Sequence, residues 1–130
     1  MNLLSKEILV VAIGGAIGSV ARLLLSRFVQ ILVPFEGLPW GIIVVNIAGC
    51  FAIGILYGVF ELKMLMNPLW RVGLIVGILG GFTTFSSFSL DTFHFLLRGE
   101  IFSALLNILI SVGVCLLATV FGAWCVTAFV

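Results

Sequence analysis

Apolar residues dominate this chain in four long segments that are separated by short polar connections. The segments run over Ile8 to Leu32, Leu38 to Phe60, Leu69 to Leu97 and Ile101 to Val130. An α-helix needs about 20 predominantly apolar residues to cross the hydrocarbon core of a bilayer. Each segment reaches that length, so the pattern predicts four transmembrane helices.

Composition agrees with this pattern. The 130 residues are 63% hydrophobic and only 8% charged, with a mean hydropathy of +1.41. We therefore expect an all-α integral membrane protein whose residues 1–130 form a single four-helix domain. The three cysteines lie within apolar segments and have no CxxC spacing, which argues against a disulfide or a metal site. A net charge of +1 without a basic cluster argues against nucleic-acid binding.

The third segment contains the sharpest departure from the apolar pattern. Residues 80–89 read GGFTTFSSFS, with two adjacent glycines and five Ser or Thr residues. A bilayer core offers no water to satisfy hydroxyls or an interrupted backbone, so irregular structure there must be buried in protein or line a watery cavity. We expect a break in the third helix at Gly80–Thr83, which frees helix-terminal carbonyls and amides as ligands for something small and polar.

Glycines also recur four residues apart. Such sets are Gly14 with Gly18, Gly54 with Gly58, and Gly73 with Gly77 and Gly81. Small residues at this spacing share one helix face and allow two helices to approach closely. They predict close helix packing.

Two strongly polar side chains lie deep within apolar segments. Arg22 lies in the first segment and Asn46 in the middle of the second. A guanidinium at that depth is costly unless it snorkels to the interface or faces a polar cavity, where it could attract an anion. The amide of Asn46 could donate to an anion or join two helices. Both alternatives stay open for each residue.

The fourth segment carries a row of polar side chains. Its members are Asn107, Ser111, Cys115 and Thr119. A spacing of four places them on one helical face, which favours the lining of a pathway, although a single hydroxyl commonly bonds back to its own helix. Phe85 and Phe88 lie on neighbouring faces of the half-helix after the break. Their positive ring edges could touch a small anion, and lipid contact or core packing is the alternative.

Charges at the segment ends give only a weak preference for one orientation. Lys6, Lys63 and Arg71 share one side of a four-span chain, and Arg27 and Arg98 share the other. Under the positive-inside rule this is a small bias. We expect insertion in both orientations and an antiparallel homodimer, which would reproduce in two chains the inverted symmetry of larger transporters. One fixed orientation set by the lysines is the alternative.

Three motifs together resemble the Fluc (CrcB) fluoride channels of microbes. They are GGAIGSVAR at 14–22, Val45-Asn46-x-x-Gly49, and the stretch at 80–89. The resemblance covers essentially the whole chain. It implies a multi-pass protein of the cell (inner or plasma) membrane, not an enzyme, that works as a dual-topology homodimer with two antiparallel pores. Passive electrodiffusive export of F⁻ from the cytoplasm would give fluoride resistance.

The resemblance also implies which residues form the fluoride pore. They are Asn46, Phe85, Phe88, Ser86, Ser87, Thr119 and Arg22. The phenylalanine ring edges would contact fluoride, Asn46 would orient them, the hydroxyls would form a polar track, and Arg22 would lie in the vestibule. Cys115 stands where the family often has Ser.

A cation site is implied by the same resemblance. The backbone carbonyls of Gly80 and Thr83 would bind a structural Na⁺ at the centre of the dimer, shared by both subunits. Fluoride, the second copy of the chain and the lipid bilayer are then the expected partners.

The main alternative is a small multidrug-type cation/proton antiporter, which also has four helices and is often antiparallel. Proton coupling needs a carboxylate near the bilayer centre. Four glutamates lie near segment ends or in loops, namely Glu7, Glu36, Glu61 and Glu100, and Asp91 is the only carboxylate at any depth. A purely structural packing subunit is a second alternative; it explains the glycines but not Arg22, Asn46 or the polar row.

Overall fold

A computed structural model describes residues 1–34, 37–63 and 67–129 of the chain, with the side chains of residues 62 and 63 left out. Outside the described residues lie the loop carboxylate Glu36, the side chain of Lys63, and Val130, the last residue of the predicted fourth segment.

Four helical spans are long and apolar enough to cross a membrane. Helix α1 covers Leu3–Leu32, α2 covers Trp40–Lys63, the third span runs over Pro68–Leu97, and the last helix, α6, covers Ile101–Ala128. The described residues contain no strand. The prediction of an all-α protein with four spans is confirmed, and the chain is a multi-pass membrane protein.

Capping residues explain where several helices begin and end. Helix α1 begins before the predicted Ile8 because the Asn2 side chain accepts a hydrogen bond from the Ser5 backbone N–H at 2.8 Å. The third span begins at Pro68, whose missing N–H is harmless in a first turn. It ends before Gly99, whose φ of +74° suits glycine and turns the chain into α6.

The third span is built of unlike pieces. Helix α3 (Pro68–Val72) passes into a π-helical segment (Gly73–Leu79) and a single turn, α4 (Gly80–Phe82). Two extended residues, 83 and 84, then separate α4 from α5 (Phe85–Leu97).

The break therefore lies later than the sequence suggests. We predicted it over Gly80–Thr83, but Gly80 is helical, with φ −62° and ψ −37°, and Thr83 and Thr84 have extended backbones. Of the two glycines, Gly81 serves helix packing, whereas a Cβ added to Gly80 would meet only the Ile75 carbonyl oxygen of its own span, at 3.6 Å. A Cβ added to Gly81 would lie 2.6 Å from the carbonyl oxygen of Gly15 on α1.

Helix α1 and the third span touch backbone to backbone. A Cβ added to Gly14 would lie 2.7 Å from the Gly73 oxygen, and one added to Gly18 would overlap the Ile78 oxygen. No other residue type fits such an approach without displacement. The close packing predicted from the glycine spacing is confirmed here.

Helices α2 and α6 form the most extensive helix pair. Gly54 faces the backbone of Thr119, and Gly58 faces the side chain of Val126. Because the residue numbers rise together, the two helices run parallel. This is the arrangement expected of the second and fourth spans of a chain that crosses the membrane back and forth.

Most large apolar side chains face outward, as on a surface that lipid covers. The most buried of the large side chains include Ile43, Val45 and a polar residue, Asn107. Thr84, Thr92 and Ser111 are buried as well, and buried polar side chains of this kind indicate that hydrogen bonds position the inner faces of the helices.

Candidate functional site

The break in the third span is held by the side chain of Asn46 on α2. Asn46 Nδ2 donates to the Thr84 carbonyl oxygen at 3.0 Å, and the Thr84 N–H donates to Asn46 Oδ1 at 2.8 Å. This two-way bond satisfies both backbone groups of a non-helical residue that is almost fully buried. The amide thus joins two helices, one of the two roles considered for it, and its second N–H is available to another acceptor.

Thr84 also caps the half-helix that follows. Its Oγ1 accepts from the Ser87 N–H at 3.2 Å and donates to the Ser87 hydroxyl at 3.2 Å. The Ser86 hydroxyl also lies 3.2 Å from this atom. Sequence reasoning missed Thr84 as a site residue. The available signal was a Thr directly before a helix, the preferred N-cap position.

The first half-helix ends with carbonyl groups that lack their usual helical partners. In an α-helix the N–H of residue 84 would bond to the Gly80 oxygen, but here that N–H donates to Asn46. Both the N–H and the hydroxyl of Thr83 turn back to the Leu79 oxygen, each at 2.9 Å. The carbonyl groups predicted as cation ligands, Gly80 and Thr83, thus lie at a true helix end.

A cavity of about 460 Å³ opens beside the break. Five of the predicted site residues line it, namely Asn46, Gly80, Thr83, Phe85 and Phe88. Further residues of the third span, α2 and α6 complete the wall, with Cys50, Thr84, Ser111 and Cys115 as its other polar or thiol side chains. The structure therefore brings together predicted residues from separate spans.

The two phenylalanines at the cavity are neighbours. Their ring centroids lie 5.3 Å apart and their planes are inclined by 55°. Tilted rings direct edges as well as faces into the space between them. Phe85 is 76% exposed and stands at the open side of the cavity.

Arg22 reaches the break from α1. Its Nη1 donates to the Thr83 carbonyl oxygen over a long 3.5 Å, and the guanidinium is half-buried. The positive charge therefore lies at the carboxyl end of the first half-helix, where the helix dipole is negative. Arg22 does not line the cavity itself.

The polar row on α6 divides into separate roles. Fully buried Asn107 donates to the Thr92 hydroxyl at 3.0 Å, and the Thr92 hydroxyl donates to the Phe88 carbonyl at 2.8 Å. These bonds tie α5 to α6. Ser111 donates to Asn107 Oδ1 over 3.4 Å and also faces the cavity.

Three of the predicted hydroxyl-bearing residues lie away from the cavity wall. Thr119 Oγ1 bonds back to the Cys115 carbonyl at 3.1 Å, the local alternative for a hydroxyl in a membrane helix. Ser86 and Ser87 belong to the N-cap of α5, and Ser86 is exposed. A sequence period cannot distinguish these positions from ones that face the cavity.

The one deep carboxylate, Asp91, lies at a different place. It lines a cavity of about 480 Å³ together with Gln30, His94 and Arg98, beside the connection between α1 and α2. It does not line the cavity at the break. An antiporter of the multidrug type requires a carboxylate at the substrate site, so this placement does not favour that alternative.

A family model described as "CrcB-like protein, Camphor Resistance (CrcB)" matches residues 9–123. The chain belongs to the CrcB family. The resemblance drawn from the three motifs is therefore confirmed, and the match includes every residue of the cavity at the break.

Curated relatives of the family cover nearly the whole chain. "Fluoride-specific ion channel FluC" of Geobacter sulfurreducens is 48% identical over 112 residues, which are 86% of this chain and 90% of the relative. The protein of the same name from Geobacter metallireducens is 44% identical over 116 residues, 88% of this chain and 92% of the relative. That from Rhizobium meliloti is 44% identical over 117 residues, 90% of this chain and 93% of the relative. All three are named as ion channels, in agreement with the prediction that this chain is not an enzyme.

Proposed function

We propose that this protein is a fluoride-selective channel that lets F⁻ leave the cytoplasm passively and so gives fluoride resistance. The observation that carries the proposal is the cavity at the break, where the Asn46 amide and two tilted phenylalanine rings lie together within a membrane span. Membership of the CrcB family, and the names of the relatives, support the choice of anion.

The chemistry of the cavity suits a small anion. Fluoride holds its water tightly, so its dehydration requires donors at short range. The second N–H of Asn46, the Ser111 hydroxyl and the ring edges of Phe85 and Phe88 supply partial positive charge in an otherwise apolar wall. Chloride is larger and would be excluded from a close-fitting path. Arg22 adds a positive charge near the break and would draw anions toward it.

A second, inverted copy would complete the site in the membrane. The cavity is open on one side of the chain, where Phe85 is 76% exposed. A dual-topology homodimer would cover this opening, and the weak charge bias of the chain permits both orientations. The inner or plasma membrane is the location in which such a channel would protect the cytoplasm.

The end of the first half-helix suits a hard cation that prefers oxygen ligands, and we assign it a structural Na⁺. The carbonyl of Gly80 lacks its helical partner, and the carbonyl of Thr83 accepts only a long bond from Arg22. Two oxygens from each of two copies would give a four-oxygen site at a dimer centre. A bound cation would neutralise the negative helix ends and hold the two breaks against each other.

Fluoride efflux from liposomes tests the proposal directly. The purified chain is reconstituted with internal fluoride, valinomycin carries the counter-charge, and an ion-selective electrode records release. We expect electrogenic fluoride efflux and no comparable chloride efflux. Absence of fluoride release would contradict the proposed function.

A matched pair of variants tests the site. Phe85→Ile changes a 76% exposed ring beside the break, and Phe102→Ile changes a 78% exposed ring on α6 outside the cavity. Phe85→Ile should abolish efflux and Phe102→Ile should leave it near the wild-type rate. Equal rates in both variants would refute the assignment of Phe85.

A further inference from the structure

Two of the three cysteines lie at the same level of the α2–α6 helix pair. Gly54 on α2 packs against the backbone of Thr119 on α6, and the two helices run parallel. Cys50 lies one turn before Gly54, and Cys115 lies one turn before Thr119. The same register therefore brings the two cysteines opposite each other.

Both thiols face the cavity at the break. Cys50 and Cys115 are free, half-buried and both part of its wall. The third cysteine, Cys125, is also free but lies farther along α6, outside this wall. The chain thus contains a thiol pair and an internal control for it.

A pair of thiols in an apolar wall is a ligand set for a soft metal ion, because soft metals prefer sulfur. Hg²⁺ reacts with two thiols to form Hg(SR)₂. Two S–H bonds break, two Hg–S bonds form, no atom changes oxidation state, and two protons leave to water. The product is neutral, which favours it in a cavity where a net charge is costly. A soft monovalent cation bound by two thiolates would leave a net negative charge.

We propose that Cys50 and Cys115 form a two-thiolate site for Hg(II) in the wall of the cavity, and that the bound metal obstructs the cavity. The metal would lie beside Ser111 and one turn from Asn46. Only the obstruction rests on the proposed function, because binding itself does not depend on what the cavity conducts.

Competition with a monothiol tests the binding site. The reduced, detergent-solubilised full chain is loaded with one equivalent of HgCl₂, and the ultraviolet absorbance of the Hg–S bonds is followed as 2-mercaptoethanol is added. Because the second thiol is held next to the first, removing the metal from wild type should require roughly 100-fold more competitor than from a single-thiol site. Cys125→Ser should match wild type, while Cys50→Ser and Cys115→Ser should release the metal early. Release at one competitor concentration in all four proteins would overturn the site.

Fluoride efflux with and without HgCl₂ tests the obstruction, each protein being compared with its own untreated rate. At a competitor concentration that strips only the single-thiol variants, wild type and Cys125→Ser should lose most of their efflux, and Cys50→Ser and Cys115→Ser should keep theirs. Metal retained by wild type with unchanged efflux would overturn the obstruction. Absence of efflux from the untreated chain would contradict the proposed function, and the competition experiment would still decide the binding site.

Discussion

The two sides of the third span are held by opposite means. On the α1 side, glycines allow backbone to meet backbone, as where Gly14 meets Gly73 and Gly81 meets Gly15. On the α2 side, a hydrogen-bonding amide holds an extended residue, Thr84. The contact with α1 depends on the absence of side-chain atoms. The contact with α2 depends on the presence of two, Nδ2 and Oδ1 of Asn46.

This difference shows how a membrane protein can keep a broken helix in place. Lipid is as apolar as a helix surface, so helix association there depends on close packing and on polar bonds rather than on burial of apolar area. The α1 side supplies the packing and fixes where the first half-helix lies. The α2 side supplies the polar bonds and fixes where the helix stops. We therefore expect stability to fall when side-chain volume is added on the α1 side, and when a hydrogen-bonding group is removed on the α2 side.

Asn46→Leu is expected to cause the largest loss of stability. The change leaves the N–H and the carbonyl of Thr84 unpaired in a buried position, at about 1–3 kcal/mol for each group. Chemical unfolding in detergent should show a loss in the free energy of unfolding of that order, and fluoride efflux should cease.

Asn107→Leu is the matched control for this change. Asn107 is more deeply buried than Asn46, but its partner Thr92 keeps its own bond to the Phe88 carbonyl when Asn107 is lost, and Ser111 loses only a long 3.4 Å bond. Its free energy of unfolding should therefore fall by less. Equal losses in the two variants would mean that the break needs no special support from Asn46.

Gly18→Ala should give the next largest effect, and it tests the α1 side. The added methyl group would overlap the Ile78 carbonyl oxygen. Overpacking of this kind costs about 1–3 kcal/mol, which exceeds the gain of roughly 0.5–1 kcal/mol from replacing glycine in a helix. Chemical unfolding should show a net destabilisation.

Gly113→Ala on α6 is the control, because its new methyl group would meet nothing within 4 Å. It should be neutral or slightly stabilising. If Gly18→Ala were equally harmless, the backbone contact between α1 and the third span would not limit stability.

Thr84→Val should have a smaller effect on stability, since it removes the cap of α5 but keeps the backbone bonds to Asn46. Loss of an N-cap costs about 1 kcal/mol. Thr127→Val is the comparison, because its hydroxyl bonds locally to the Trp124 carbonyl at an exposed position. Chemical unfolding should show a loss in the free energy of unfolding for Thr84→Val alone. An equal loss in both variants would show that the cap contributes nothing particular to stability.

The sequence predicted the spans and the glycine contacts because both follow from local periodicity. Four apolar segments correspond to four helical spans, and the four-residue glycine spacing corresponds to real contacts. The break was predicted over Gly80–Thr83 and lies at Thr83 and Thr84, and the shift arises because the break depends on a partner 38 residues away. Asn46 takes the N–H of Thr84 out of the helix, and no property of residues 80–84 alone reveals that.

The site was predicted in part for the same reason. Asn46, Phe85 and Phe88 do line one cavity, as the motifs suggested. The polar residues spaced four apart on α6 do not all face the cavity, because one helix face can contact more than one neighbour. Asn107 contacts α5, whereas Cys115 faces α2 and the cavity. Which neighbour a residue meets is set by helix packing, and one sequence does not contain that information directly.

Arg22 belongs to α1 but makes a polar contact, at the carboxyl end of the first half-helix, and its replacement should have the smallest effect on stability. Its bond to the Thr83 carbonyl is long, at 3.5 Å, so Arg22→Gln should change the free energy of unfolding by less than about 1 kcal/mol. Fluoride efflux should respond more, because the variant removes a positive charge beside the cavity. Attraction of an anion by that charge is screened by salt, so the loss should be greatest at low ionic strength. Arg22→Lys keeps the positive charge but lacks the planar guanidinium group, and its efflux should be closer to wild type than that of Arg22→Gln. If both variants lost the same efflux at every ionic strength, Arg22 would act through the geometry of the helix end rather than through its charge. Its role would then be structural, like that of the α1 glycines that pack against the third span.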